Sequence, residues 1–445
     1  MKIFIAIMFL MGAFVPNVYS QDTLLLDFSE AIRIGLSQNL MFQTKINEQE
    51  ILKKERQAAL LGHLPRVNMS NSFYRQMGQQ YQQVEGQLIV TNVTNDIASS
   101  NINATLPLVN AGRRLNTTRA TRLYEDAGEH GLHRAAQEVV FNIAQQYLQV
   151  LLDRELYLIA LENLENQKQQ LRQIEGFVEA GIRTLSDQYN QQSEVARLLT
   201  VVLDAEIKME TDLWLFAETL QLESGSYPML EPVNMDAQRS EFMELSLPEL
   251  YEISLNNRRD LLEQKSMEQG HKRMLSVSRS FYYPQLSAYF NYSTFATTLD
   301  ERSFADQFLR IYPQSTIGLS LTIPIFNNFE NKVLVTRSKV AYQNQQLEYK
   351  AQERMLTQET KLAYDNYRAA IRREEATKVQ LSAAEEAQKV IAERFRLGVS
   401  NFVDLAQANQ QLVEAQSDYT QAVYTNYFQE VILRYTLGIL EVESL

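Results

Sequence analysis

The acids best placed to do chemistry in this 445-residue chain are Asp187 and Asp404, each three residues after a potential helix-capping residue, Thr184 and Asn401. A carboxylate at that position first serves the backbone. It can accept from the free amide of the cap residue, a pairing that contributes roughly 0.5 to 2 kcal/mol with no other function required. The remaining groupings are weaker. His130 and His133, with Glu129 beside them, have the i, i+3 spacing of metal ligands, but two histidines on a polar helix face are ordinarily solvated, and no metal site is expected. There is no Ser-His-Asp order, no phosphate-binding glycine loop and no GxGxxG fingerprint, so neither an enzyme nor a cofactor is expected. Trp214 reads as a packing residue.

Composition narrows the field further. The net charge of −12 and the pI near 5.1 argue against a nucleic-acid groove, which needs clustered Lys and Arg. Cysteine is absent, which excludes disulfides, thiolate metal sites and N-terminal lipidation on cysteine, so the chain is not a lipoprotein. Residues 1–20 read as a signal peptide, with Lys2 as the positive start and Ile3 to Val15 as the apolar stretch. Beyond Gln21 no apolar run approaches the roughly eighteen residues of a spanning helix, so any membrane passage must be made by strands.

The elements that position the two acids are helix-to-helix turns. In the stretch Phe395 to Leu405, Gly398 suits a left-handed C-terminal cap and Asn401 an N-terminal one. Gly181, Thr184 and Asp187 repeat this pattern, each 217 residues before its counterpart. The chain therefore reads as a tandem repeat: 21–222 as the first unit, 223–245 as a linker around the middle of the helical body, and 246–445 as the second unit. Each unit opens with a capped helix, at Asp27-Phe28-Ser29-Glu30 and Ser246-Leu247-Pro248-Glu249, that is expected to run unbroken to Pro65 or Pro284.

After those prolines the period changes from helical to two. Leu286, Ala288, Phe290 and Tyr292 alternate with polar residues, as do Ile317, Leu319, Leu321 and Ile323, and Ile102, Ala104 and Leu106. Each unit thus supplies one hairpin of strands about ten residues long, with polar loops expected over roughly 76–96 and 294–312. Proline is absent between Pro107 and Pro228 and after Pro324. Arg113 to Ala180 and Glu330 to Leu397 would each form a helix on the order of 100 Å long, needing lateral partners. Heptad-like spacing at Leu161, Leu164, Leu171, Ile174 and Val178, and at Leu405, Leu412, Ala415, Tyr419 and Ala422, predicts antiparallel coiled-coil hairpins. Four strands cannot close a pore, and open edges in lipid cost several kcal/mol per unpaired backbone group, so a membrane reading requires three chains and a twelve-stranded barrel. The competing reading is a soluble periplasmic coiled-coil scaffold without channel activity.

The repeated helix-strand-strand-helix order, Leu106-Pro107-Leu108-Val109-Asn110-Ala111-Gly112, Ile323-Pro324-Ile325-Phe326-Asn327-Asn328-Phe329 and the Leu397-Gly398 to Val403-Asp404-Leu405 tip together resemble the TolC-like outer-membrane efflux proteins. The resemblance covers essentially the whole mature chain. It implies a mixed α and β membrane protein: a homotrimer with a twelve-stranded barrel in the lipid of the outer membrane of a Gram-negative bacterium, continued by a periplasmic coiled-coil tunnel. It implies as partners a periplasmic adaptor and an inner-membrane transporter of RND, ABC or MFS type; the charge balance already argues against nucleic acid as a partner. Carried over by position, it places a periplasmic gate at Asp404, Gln407, Asp187, Phe395 and Ser400, in which three Asp404 carboxylates form a ring about the threefold axis that attracts cations. Phe395, Gln407 and Ser400 depart from the family's tyrosine, second aspartate and arginine. Adaptor docking falls on Gly181, Thr184, Leu185, Gly398, Asn401 and Phe402.

Overall fold

The computed structural model describes residues 24–84, 86–222, 228–233, 242 and 244–441, so the expected signal peptide and much of the linker lie outside the described residues. β1 (Leu24–Leu26) precedes α1 (Phe28–Gln38), α2 (Leu40–Leu61), β2 (Arg66–Val84), β3 (Gln87–Val109), α3 (Arg113–Glu179) and α4 (Leu185–Thr219). β4 (Pro228–Leu230) leads into α5 (Leu247–Asn257), α6 (Arg259–Arg279), β5 (Gln285–Thr297), the short α7 (Phe304–Asp306), β6 (Gln314–Thr322), α8 (Glu330–Arg396) and α9 (Phe402–Leu437). Helix, helix, strand, strand, helix, helix therefore reads twice.

The opening helix of each half is not continuous, contrary to expectation. It breaks at Asn39 (φ −62°, ψ 114°) and at Arg258 (φ −63°, ψ 112°), positions 219 residues apart. Neither break has a glycine or proline. Asn39 Oδ1 accepts from the amide of Phe42 at 2.9 Å, while the buried Arg258 grips Asp260 through two hydrogen bonds of 2.9 and 2.6 Å.

Two compact units form, and they interleave along the sequence. One gathers residues 24–43, 135–222, 228–233, 242, 244–254 and 358–441. Its main core packs Leu26, Ile32, Val140, Ile143, Tyr147, Leu151, Phe216, Leu220 and Val431. β4, from the segment between the halves, pairs in parallel with β1. Tyr147 fastens this pair, donating to the carbonyls of Leu26 at 3.2 Å and Glu231 at 2.7 Å, and its burial pushes the phenol pKa up to about 12. Helical coiled-coil packing is present where expected at Leu164, Ile174, Leu405, Ala415 and Ala422, all buried. Leu161 is exposed, and Trp214 is 60% exposed, so its indole is not the packing residue expected from sequence.

The other unit, residues 44–134 and 255–357, carries an antiparallel sheet in the order β2-β3-β5-β6. Cross-strand partners point to one side of a sheet, so the register sorts the faces. Val67, Ala104, Phe290 and Ile317 form one row, flanked by Met69, Ile102 and Tyr292 and by Leu106, Ala288 and Leu319. The opposite face reads Asn68, Asn103, Asn291 and Thr316, then Ser70, Asn101, Ser293 and Gln314. A register shift follows Pro107, whose ring removes a ladder donor. The first expected loop is absent: pairing continues without interruption to Val84↔Gln87, so residues 76–84 and 87–96 are strand. The stretch is long and polar, rich in Gln, Asn and Thr, but the backbone ladder does not require apolar side chains. In the second hairpin the connection does leave the sheet, folding into α7 and a π-helical turn at Gln307–Ile311.

Candidate functional site

The two helix-to-helix turns lie within one compact unit and are built alike. Gly181 (φ 74°) and Gly398 (φ 75°) occupy the left-handed region that glycine tolerates. Behind each, the following amide reaches back to close the helix: Ile182 donates to the Phe177 carbonyl at 2.8 Å, and Val399 to that of Arg394 at 2.9 Å.

The caps then diverge. Thr184 and Asp187 form a complete capping box: the Thr184 hydroxyl oxygen accepts from the Asp187 amide at 3.2 Å, and the Asp187 carboxylate accepts from the Thr184 amide at 3.2 Å. Asn401 accepts from the Asp404 amide at 2.9 Å, but the Asp404 carboxylate turns to the hydroxyl of the buried Ser400, which donates to it at 2.9 Å. Asp404 and Gln407 are exposed on α9, one helical turn apart. The residue that departs from the family's arginine thus holds the carboxylate of the expected ring.

Phe395 is 7% exposed and packs with Ile174 and Leu405, bringing Val178 of the first half and Phe402 of the second into one cluster. Phe402 is half-buried there, whereas Ile182, Leu185, Leu397, Val399 and Val403 are exposed apolar residues on the two turns. Arg183, which sequence reasoning missed, crosses between the halves: its guanidinium donates to the Phe395 carbonyl at 3.0 Å and lies 4.1 Å from the ring centroid. No local pattern signals a pair 212 residues apart.

A second polar tie lies further along the same helices. Buried Gln191 donates to the carbonyl and side-chain oxygens of Gln167, both at 2.9 Å. Asn409 accepts from Gln388 at 3.0 Å and donates to Gln170 at 3.3 Å, linking α8 and α9 to α3 beside a cavity of about 220 Å³. These groups can hold helices in register and meet polar solutes. None is arranged as nucleophile and base. His130 and His133 do not assemble with further acids, and among the described residues no group of three or more His, Asp or Glu side chains could hold a metal.

The chain's sequence matches the model of the family described as outer membrane efflux protein over residues 36–213 and 250–438. It is 20% identical to outer membrane protein TolC of Salmonella enteritidis over 365 residues, covering 79% of this chain and 72% of the relative. Its fold is similar to the outer-membrane channel OprN (TM-score 0.78, 18% identity, 92% of this chain and 89% of that one). It is likewise similar to the outer membrane protein VceC of Vibrio cholerae (TM-score 0.76, 14% identity, 92% and 96%). OprN is described as an outer-membrane channel, and TolC and VceC as outer membrane proteins. On the family match, which spans most of its length on both sides of the gap at 214–249, this chain belongs to the outer membrane efflux protein family.

Proposed function

We propose that three copies of this chain form an exit duct: a twelve-stranded barrel through the outer membrane, continued by a periplasmic tunnel of coiled-coil hairpins. The observation that carries this reading is the division of the sheet into faces. Ile317, Leu319 and Leu321 are 84, 66 and 61% exposed on the edge strand β6, and the Ile317 row continues across all four strands. A soluble scaffold would leave this apolar face in water, whereas a barrel wall turns it to lipid and turns the Asn and Ser rows to an aqueous lumen. Both sheet edges, β2 and β6, are exposed along nearly their whole length, so they are open to pairing with other copies.

In this reading residues 1–20 direct export, and the two repeats, 21–222 and 246–445, each give one hairpin of strands and one of helices. The turns at Gly181, Thr184, Leu185, Gly398 and Asn401 meet a periplasmic adaptor, which couples the duct to an inner-membrane transporter. Exposed Ile182, Val399 and Val403 add apolar area there, while Phe402 supports the turn from within. Asp404 and Gln407 line the periplasmic entrance, Ser400 orients Asp404, and Asp187 stays a cap. Phe395, lacking a hydroxyl, closes the turns through packing and through Arg183.

Single-channel recordings in planar bilayers, paired with native mass determination of the mature chain, test this. Conduction that accompanies a three-chain mass supports it. Conduction by single chains, or a stable monomer that never enters lipid, contradicts it.

A further inference from the structure

β2 and β3 are much longer than their neighbours. Past the last β3–β5 pair at Ile97↔Thr297 come Arg75↔Asp96 and then nine further residue pairs of β2 with β3, Gln76↔Asn95 to Val84↔Gln87. Nine pairs span roughly 30 Å of two-stranded ribbon. The base of this ribbon is marked by Arg75, which donates to both carboxylate oxygens of Asp96 at 2.5 and 2.7 Å. That ion pair lies on the sheet face that carries Met69 and Ile102, so on the proposed barrel it ends the lipid-facing band and the ribbon stands in water outside.

Such a ribbon is unprotected. Two isolated strands are marginally stable, and natural edges are usually blunted by Lys, Pro or a covering segment. Along 76–84 and 87–95 there is no proline and no charged residue, and most residues are Gln, Asn, Thr, Val or Ile. Met77, Tyr81, Leu88 and Val90 are 72, 65, 67 and 48% exposed on one face. β6 has only nine residues, so a neighbouring copy's β6 cannot cover both Arg66 to Arg75 and the ribbon. Gly78, three residues past the ion pair, has a φ of +140°, one that L side chains rarely adopt.

We infer that the ribbon residues 76–81 and 88–95 pair edge to edge with the same residues of the other two copies, gathering three ribbons into a narrower six-stranded collar over the outer mouth. Only another copy offers an edge of matching length, neutrality and amide-rich composition at the same level, and side-chain amides stack into ladders along such paired edges. β2 and β3 alternate in direction around the barrel, so β3 of one copy meets β2 of the next antiparallel. The collar rests on the threefold assembly proposed above.

The chain has no cysteine, so two singly substituted chains can be co-expressed, one carrying Gln80→Cys and the other Thr91→Cys. Neither can form a disulfide within itself. After oxidation, a disulfide-linked pair of unlike chains inside a particle of three-chain native mass supports the collar. A three-chain mass with no linked pair overturns the collar and leaves the duct reading intact, and links found only between separate particles also overturn it. A particle that is not three chains overturns the duct reading itself. As a second measurement, residues 77–94 are replaced by an Asn-Gly turn. The six-stranded mouth is narrower than the twelve-stranded wall, so in the Arg183→Met background, where the periplasmic turns no longer limit the current, its removal raises single-channel conductance severalfold, and unchanged conductance in that background contradicts the collar.

Discussion

The Arg183 guanidinium is held against Phe395 in two ways at once, donating to its carbonyl at 3.0 Å and covering its ring at 4.1 Å. The first coiled-coil turn is thereby fastened to the second where Phe395 has no hydroxyl of its own to offer. A partly exposed cation over an aromatic ring and one charge-assisted hydrogen bond together contribute about 1 to 3 kcal/mol. Arg183→Met keeps most of the apolar stem and removes both interactions. Its expected effect is faster amide exchange over 177–187 and 395–405, with a higher resting conductance, while the sheet is unaffected. Arg183→Lys restores charge without the planar fork and gives an intermediate result.

The divergence of the two caps predicts different consequences for the two acids. Asp187→Ala breaks a reciprocal box and costs about 1 kcal/mol at the first turn. Asp404→Asn keeps an acceptor for the Ser400 hydroxyl and leaves the Asn401 cap in place, so thermal stability changes little. Cation selectivity and block by multivalent cations from the periplasmic side are expected to fall in Asp404→Asn, most clearly at low salt, where screening is weak. Block that survives the substitution unchanged makes Asp404 a cap alone.

How much of this was legible depends on range. Gly398, Asn401, Gly181 and Thr184 act on neighbours within five residues, so turn position and helix ends followed from local chemistry, and α3 and α8 end within one residue of expectation. The breaks at Asn39 and Arg258 were hidden because nothing at either position forbids helix. The ribbon was read as loop because a ladder of backbone bonds leaves no apolar period in Gln79, Gln80, Gln82 and Gln83. Arg183 and Phe395 meet only through tertiary packing. The gate and docking residues came from family resemblance, and their geometry alone assigns caps and packing.

Lys208 provides a test of helix-to-helix energetics. Its ammonium is 2.8 Å from both carboxylate oxygens of Asp153, which is 2% exposed, and burial holds that carboxyl above the ordinary aspartate range. Lys208→Met leaves the buried acid without its cation and costs about 2 kcal/mol, below the full cost of breaking a buried pair because Lys208 is half exposed. The folded pKa of Asp153 then rises further above its unfolded value. Between those two values the folded state binds more protons, so stability falls as pH rises through that window. The Tm deficit of Lys208→Met relative to wild type is expected to be larger near pH ~8 than near pH ~5. An equal deficit at both pH values contradicts the assignment.

The two faces of β6 offer a paired substitution. Leu319→Arg places a charge on the proposed lipid face and costs about 2 to 4 kcal/mol at mid-depth, whereas Ser320→Arg points to the lumen and is tolerated. Folding yield into lipid vesicles, read by heat-modifiable mobility, separates them. Equal yields contradict the face assignment.

The closed barrel depends most on the seam between copies, where β6 of one chain must meet β2 of the next. These strands are opposite edges of one sheet, three strand spacings or about 14 Å apart, too far for a disulfide within a chain. The decisive measurement is disulfide formation between Ser320→Cys and a cysteine scanned along Asn68, Ser70 and Ser72, in the full chain oxidised in the membrane. A covalent ring of three chains at one scanned position is the expected result. Free monomers at every position, in membranes that contain the protein, would contradict the closed barrel and the duct built on it.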